Sequence, residues 1–518
     1  MSTKSKVFWL LLVIIIIASF LRLYKITTIP PGLYPDEAMD GNNAVEALHT
    51  GQFKVFYPEN NGREGLFMNI QAIFLKFFGV NSPSQISQNE TWEGKPWVLR
   101  LPSAIFGILT VLGIYFLAAE LFSSSGVGLL SAFLLATSFW HVNFSRISFR
   151  AIMAPLILVW AIYFLTKAFR SSRPVFYVLC SIFSGVVYGL GFYTYIAYRD
   201  TPFLLLLLVP FFRNNKNFRR VAAIFLVTTF IVALPIGVYF LKNPADFLGR
   251  TSQISIFSSP TPLRDLGLNI LKTAGMFNIR GDHNWRHNLS GAPELFWPVG
   301  IIFLLGLILG LRQIYRTISH KTNNGGRTAI SESKPLQESG LGYWIVFGWF
   351  FLAALPVVVS NESLPHALRS ILMIPPVIML AAAGGVWLYN KFAAMYERNA
   401  GMRAVAKGCA CFFFALLVLD TYNSYFIVWA KNPNVYDAFS SGYVEIGREI
   451  NALPPDTPKY VVVEAGGVLV HGIPMPAETV MFITNTYLPQ DQQAKNVHYV
   501  LPQDEKSIPE SALKFYIR

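Results

Sequence analysis

The chain has 518 residues, 53% of them hydrophobic and only 14% charged, and a mean hydropathy of +0.43. That much apolar surface cannot be hidden inside a water-soluble globule of this size and must face lipid. The formal charge of +13 does not indicate nucleic acid, because the basic residues lie mostly in short segments between apolar runs, where they mark membrane orientation.

A helix needs about 20 apolar residues to cross a hydrocarbon core of ~30 Å. Stretches of that kind fall at 7–24, 100–122, 126–144, 148–169, 175–193, 196–212, 220–241, 295–312, 342–360, 370–389 and 405–429, about eleven crossings in all. The first follows Lys4 and Lys6, has no small-residue cleavage site and runs straight into Arg22, Tyr24 and Lys25, so it is expected to be retained as a helix. The sixth is short and contains Pro202 and Pro210, which leaves its ends open. With the N-terminus inside, the inside loops carry Lys167, Arg170 and Arg173, then Arg213, Lys216, Arg219 and Arg220, then Arg312, Arg316, Lys321, Arg327 and Lys334, then Lys391, Arg398, Arg403 and Lys407. Helix count and orientation support one another. Asn323 to Ser339 is expected to be a flexible inside linker. The three cysteines, Cys180, Cys409 and Cys411, sit inside apolar runs and give neither a disulfide framework nor a zinc site. The division expected is a membrane part over 1–429 and a small outer α/β domain over 430–518, with a helix at Tyr443–Leu453 and strands at Tyr460–Val463 and Val497–Leu501.

Polar residues that are not orientation signals gather in the outside segments. Tyr34-Pro35-Asp36-Glu37-Ala38-Met39-Asp40 opens a helical stretch that runs to Leu48. One reading makes Asp36 the helix cap, with Glu37 and Asp40 favouring the positive helix end; the other makes a carboxylate at the membrane surface a general base. Glu59-Asn60-Asn61-Gly62-Arg63-Glu64-Gly65 precedes Leu66–Phe78, which is too short for a span and is expected to lie in the interface with Arg63 and Glu64 at its mouth. Arg146 and Arg150 beside His141, Arg199 after Tyr193-Thr194-Tyr195, and His366 with Arg369 place cations outside, against the positive-inside bias. Singly, each could neutralise a carboxylate or a lipid headgroup; together they favour a phosphate site. Gly281-Asp282-His283-Asn284-Trp285-Arg286-His287-Asn288 is dense in groups that bind sugar, phosphate or metal. His287 is counted among the substrate-binding candidates, while Asp282 and His283 are the weak candidates for a divalent ion, at a spacing that matches no specific metal signature. The blander reading of His283 is a polar loop cap. Asn89-Glu90-Thr91, Asn288-Leu289-Ser290 and Asn361-Glu362-Ser363 fit the N-glycosylation pattern, which matters only in a glycosylating host.

Tyr34-Pro35-Asp36-Glu37, Asn60-Asn61-Gly62-Arg63-Glu64, Arg100-Leu101-Pro102-Ser103, Ser145-Arg146-Ile147-Ser148-Phe149-Arg150 and Pro365-His366-Ala367-Leu368-Arg369 resemble segments of the lipid-carrier-dependent GT-C glycosyltransferases, of the protein mannosyltransferase and aminoarabinose transferase type (glycosyltransferase family 39-like). The resemblance covers nearly all of the membrane part. It implies a polytopic GT-C fold, and inverting transfer of a hexosyl or pentosyl group from a polyprenyl-phosphate donor to a protein, glycan or lipid acceptor. The site would face outward from a bacterial or archaeal plasma membrane, with no nucleic-acid partner and no cofactor required beyond, at most, a divalent metal. Asp36 matches the position of that family's acidic catalytic residue, with Glu37 as the alternate. Arg63, Glu64, Arg146, Arg150, Arg199, His287, His366 and Arg369 are the substrate or phosphate candidates. Some relatives have a further aspartate in the second outer loop, where Ser148-Phe149-Arg150 offers none. The main rival is a transporter or lipid flippase. Transporters place ionisable residues near the bilayer midplane, and here Asp420 is the clearest such charge. A non-catalytic polysaccharide-binding scaffold would not need the Asp36-Glu37 pair.

Overall fold

The computed structural model describes residues 3–78, 94–247, 256, 259–323, 334–361, 364–395 and 399–518. The Asn89 triplet, most of the expected linker after Asn323, and Glu362 and Ser363 lie outside them. Helix α1 (Thr3–Leu23) buries Ile14, Ala18 and Leu21, and turns Phe8, Trp9, Ile16 and Phe20 outward. Large apolar side chains left in a row on a surface are stable only against lipid. Next come α2 (Pro35–Thr50), a hairpin of β1 (Phe56–Tyr57) and β2 (Arg63–Glu64), and α3 (Leu66–Phe78). With 13 residues, α3 is too short to span; it buries Phe67, Met68, Ala72 and Leu75 and exposes Ile73 and Phe77.

After α4 (Pro96–Leu121), the stretch expected as one span is two helices, α5 (Ser125–Ala136) and α6 (Phe139–Phe144). The break has a cause in Arg22, which is fully buried and donates to the carbonyls of Leu135 and Ala136, each at 3.1 Å. With those C-terminal acceptors satisfied, the chain leaves the helix and Ser138 caps the next one by accepting from the His141 N–H. Helices α7 (Met153–Arg170) and α8 (Pro174–Leu190) follow; the expected sixth span is again broken, into α9 (Pro202–Leu206) and α10 (Val209–Phe212), before α11 (Phe218–Lys242). Pro202 and Pro210 occupy first-turn positions of the two short helices, where a missing N–H is tolerated but the preceding helix cannot continue.

Both broken stretches still run the length of the bundle. Arg100 and Ser148 bind the same carboxylate, so α5 and α6 retrace α4. Arg199 reaches Glu64 at one end, whereas Phe212, thirteen residues on, stacks on Phe169 at the far end of α7 (4.7 Å). Among the described residues nine helices are long and apolar enough to cross a membrane; the other two of the eleven apolar stretches read from sequence are the broken ones. The later long helices are Trp297–Asn323, Lys334–Val358, Ile374–Met395 and Ala400–Tyr422. Gly306 and Gly384 let the first and third of these meet backbone to backbone. A Cβ at Gly306 would come 2.0 Å from the Leu380 carbonyl oxygen, and one at Gly384 2.1 Å from that of Ile302. Such small-residue contacts are how helices pack in lipid.

The C-terminal elements form a parallel sheet of β3 (Lys459–Val463) between β4 (Val497–Val500) and β5 (Leu513–Ile517). Helix Ser441–Asn451 and the wholly buried helix Ala477–Thr484 pack beside it. The second of these holds α2 in place. Asn42 donates to Glu478 (2.7 Å), Thr479 donates to the Leu33 carbonyl (2.9 Å), and the Phe482 ring lies so close to Gly41 that a Cβ there would clash at 2.8 Å. The chain is therefore an α-helical polytopic membrane protein with small C-terminal strand elements, and its C-terminal helix buttresses the first interhelical segment.

Candidate active site

Helix α2 starts after Tyr34, with Pro35 as its first residue, so Asp36 stands at the second helical position and is not the cap. The third position, Glu37, is wholly buried. Its Oε1 accepts from the Tyr34 backbone N–H (3.4 Å) and Arg100 Nη2 (3.0 Å), and its Oε2 accepts from Arg100 Nε (2.9 Å) and the Ser148 N–H (2.8 Å). Arg100 also donates to the Pro30 and Gly32 carbonyls. Glu37 thus ties together the start of α2, the start of α4 and the segment before α7.

Asp36, one residue earlier, is half-buried. Its Oδ1 accepts from Asn60 Nδ2 at 2.6 Å, and among the described residues it forms no ion pair. The other carboxylates around it all have partners. Asp40 accepts from Arg63 (2.6 Å), which also donates to Asn43 (3.1 Å). Burial pushes the Asp40 carboxyl up to about 6, against the pull of Arg63 and Arg150. Glu64 accepts from Arg150 (3.0 Å) and Arg199 (3.4 Å), two arginines on one carboxylate. Arg199 is held further by the Phe247 carbonyl and by the rings of Phe240 and Phe247 at 4.8 and 4.4 Å.

The opposing side comes from the 281–294 segment and His366. The Oδ2 of Asp282 accepts from His287 Nδ1 (2.9 Å) and the Ala367 N–H (2.8 Å), and the rings of His287 and His366 lie 4.9 Å apart. Burial holds His287 below the ordinary imidazole range and takes His366 down to about 3. Burial works against ionised Asp282 as well, but the His287 hydrogen bond keeps that carboxyl below its usual range. An ionised Asp282 can only accept, so His287 carries its proton on Nδ1 and leaves Nε2 as an acceptor. Arg286 places its guanidinium 3.6 Å from the centre of the Tyr34 ring, two residues before Asp36. Burial lowers it to about 10, still a cation at neutral pH. The Asp36 carboxylate is among the charges that act on His287, which brings the two sides together.

Donor atoms of Asp282, His287 and His366 lie within 4.8 Å of one another, the one such trio among the described residues. Its two neutral imidazoles and its carboxylate suit a divalent ion. Such an ion would have to replace the proton that His287 Nδ1 shares with Asp282. His283 is exposed and outside the trio. Arg146 is behind the site, donating to the carbonyls of Leu21, Tyr24 and Ile29 at the end of α1. Arg369 donates to the Ser360 hydroxyl. Arg100, Asp40, Asn60 and Arg286 were not among the sequence candidates. Arg100 had a legible signal, an arginine at the head of an apolar run; Asn60 and Arg286 owe their places to tertiary contact.

Residues 92–239 match the family described as dolichyl-phosphate-mannose-protein mannosyltransferase. That segment carries Arg100, Ser148, Arg150 and Arg199, but not Asp36, the hairpin or the histidines. No curated protein sequence matches the chain. Among solved structures, the apo oligosaccharyltransferase of Archaeoglobus fulgidus superposes with a TM-score of 0.54 at 13% identity, over 98% of this chain and 66% of that one. AglB from the same organism, with an inhibitory peptide and a dolichol-phosphate, gives 0.53 at 13% identity, over 98% and 70%. ArnT of Cupriavidus metallidurans in the apo state gives 0.50 at 12% identity, over 99% and 90%. The chain spans about two thirds of the archaeal protein's length. At these identities the likeness speaks for the fold. The chain thus shares its fold over nearly its whole length with membrane glycosyltransferases of the GT-C type, and residues 92–239 match the mannosyltransferase family by sequence.

Proposed function

We propose that the protein is an inverting glycosyltransferase that moves a sugar from a polyprenyl phosphate to an acceptor hydroxyl at the outer face of a bacterial or archaeal plasma membrane. The observation that carries this reading is the state of Asp36. It is the one carboxylate at the centre of the site that is neither fully buried nor matched by a cation.

In the reaction, Asp36 takes the proton of the acceptor hydroxyl as that oxygen bonds to the anomeric carbon. The carbon–oxygen bond to the phosphate breaks on the opposite face, and its electron pair leaves with the phosphate. Attack from the far side inverts the anomeric centre. A phosphate leaving group needs charge neutralisation rather than a proton, so one carboxylate is enough. Arg150 and Arg199 exceed the single charge of Glu64 that they share, and Arg286 has neutral partners, the Tyr34 ring and the Asn284 amide oxygen; these three receive the phosphate, with His366 and Arg369 beside them. Arg63 with Asp40, Arg100 with Glu37, and Arg146 on its three carbonyls hold the frame. The dolichol-phosphate bound by AglB supports a lipid-phosphate donor. The same reading puts the N-terminus inside, residues 430–518 outside as a separate domain, and a surface glycan or protein as the acceptor.

The test is transfer of radiolabelled sugar from a panel of polyprenyl-phosphate sugars by purified protein, wild type beside Asp36→Asn. The substitution keeps shape and removes the base, so turnover should fall by a factor on the order of 10³ with the melting temperature unchanged. Retained turnover in Asp36→Asn would exclude Asp36 as the base; no turnover by folded wild type with any donor would favour transport.

A further inference from the structure

Asp36 reaches its place in a helix, but the group that touches it comes from a turn whose backbone is unusual. Asn60, Asn61 and Gly62 are consecutive and all left-handed, with φ of 50°, 63° and 80°. Side-chain-bearing residues other than asparagine and aspartate rarely adopt that region, and a run of three is longer than a two-residue hairpin turn requires. What holds the run is visible on both sides of the turn. The Gly62 N–H bonds to the Glu59 carbonyl and the Gly65 N–H to that of Val55. Immediately after the turn, Arg63 is fixed on Asp40 and Glu64 on Arg150 and Arg199. A Cβ at Gly62 would lie 2.5 Å from the Phe56 ring, so the turn cannot relax toward that side. All this holds the Asn60 amide 2.6 Å from Asp36 Oδ1.

We propose that Asn60 is a positioning residue for the base: its amide pins Oδ1 of Asp36, so that Oδ2 alone is presented to the acceptor hydroxyl. An amide nitrogen can only donate, so the contact engages Oδ1 as an acceptor and leaves Oδ2 the freer oxygen. Asparagine tolerates the left-handed region better than other side-chain-bearing residues and still carries a donor; glycine would suit the backbone and lose the donor. This inference rests on the reading of Asp36 as base.

The two roles a residue can play in this turn separate cleanly. Asn60→Gly relieves the backbone and removes only the amide. If Asn60 serves the turn alone, that variant keeps its melting temperature and its turnover. If it positions Asp36, the melting temperature holds while kcat falls on the order of 10–100-fold, with KM for the polyprenyl-phosphate sugar little changed. Asn60→Asp sets a second carboxyl at the same short distance from Asp36, and two such groups cannot both ionise easily. The acid limb of the kcat/KM profile then moves up by about one pH unit or more. The charged groups that face Asp36 or its neighbours, namely Asp40 and Glu37 on α2 with Arg63 and Arg150 around Asp40, and His287 with Arg286 opposite, are unchanged in both variants. Wild-type kcat and pH profile in both Asn60 variants, beside an inactive Asp36→Asn, would overturn the positioning role and leave the base standing. An active Asp36→Asn would instead bring down the base itself.

Discussion

On the side of the site built by α2 and the hairpin, charges meet in pairs: Glu37 with Arg100, Asp40 with Arg63, and Glu64 with Arg150 and Arg199. On the side built by the 281–294 segment and His366, Asp282 is satisfied by a neutral imidazole and two backbone N–H groups, and Arg286 by an aromatic face and the Asn284 amide oxygen. The first side is a frame. Its charges are largely neutralised internally, and removing one member leaves the other buried and uncompensated. The second side keeps its positive charge available, so it can respond to an incoming anion without first breaking a pair. Asp36 stands between the two, attached to the frame by Asn60 and close enough to His287 for its charge to act there.

The sharpest way to break this contrast is at Glu37. Glu37→Gln leaves the Arg100 guanidinium, 1% exposed, without its counter-charge, at an expected cost of about 3–5 kcal/mol in stability. Thermal unfolding in detergent should show the loss, and the double variant with Arg100→Met should recover part of it. A melting temperature unchanged in Glu37→Gln would mean that the pair is not the frame. The mirror experiment on the other side is Arg286→Met, which keeps apolar contact with Tyr34 and removes the charge. Stability should hold, while affinity for the polyprenyl-phosphate donor falls by about tenfold, or ~1.4 kcal/mol. Unchanged donor affinity would move the phosphate to Arg150 and Arg199 alone.

The same contrast explains what could be read from sequence. Part of the frame announces itself locally: Asp36-Glu37 opens a helix, Arg63-Glu64 precedes an apolar helix, and Arg150 stands where a span begins, whereas the pairing of Asp40 and Arg100 is set by the fold. Eleven apolar stretches give the passes, because lipid imposes one length on every helix. Apolarity does not reveal that two of them break. The break at Thr137 depends on Arg22, more than a hundred residues away, donating to the end of α5. The partners of the site residues were hidden for the same reason. Whether an arginine outside the membrane binds phosphate, a carboxylate or three carbonyls is decided by the fold. Arg146 and Arg150, four residues apart, end in different places, the first on backbone carbonyls and the second on Glu64. His366 and His287 meet only because Asp282 joins their two segments.

A smaller effect separates the site from its C-terminal buttress by the sign of a pH slope. His366 is held at about 3 by burial, against an ordinary imidazole near 6.5. Between those values the folded protein binds fewer protons than the unfolded chain, so this contribution is present above pH ~6.5 and is lost as pH falls toward 3. Glu478, beneath α2, is pushed up to about 7 by burial, only partly offset by Asn42. There the folded protein binds more protons, so the contribution is complete below the ordinary carboxyl range near 4.3 and is lost as pH rises through 7. The His366 contribution therefore falls on the acid limb of a melting-temperature profile and the Glu478 contribution on the neutral limb, where the raised Asp40 carboxyl adds a slope of the same sign. His366→Gln should flatten the first contribution alone and Glu478→Gln the second alone, each by a few °C at most in a chain of this size. If Glu478→Gln instead flattens the acid limb, the carboxyl is ionised in the fold, and α2 rests on a charged contact rather than a neutral one.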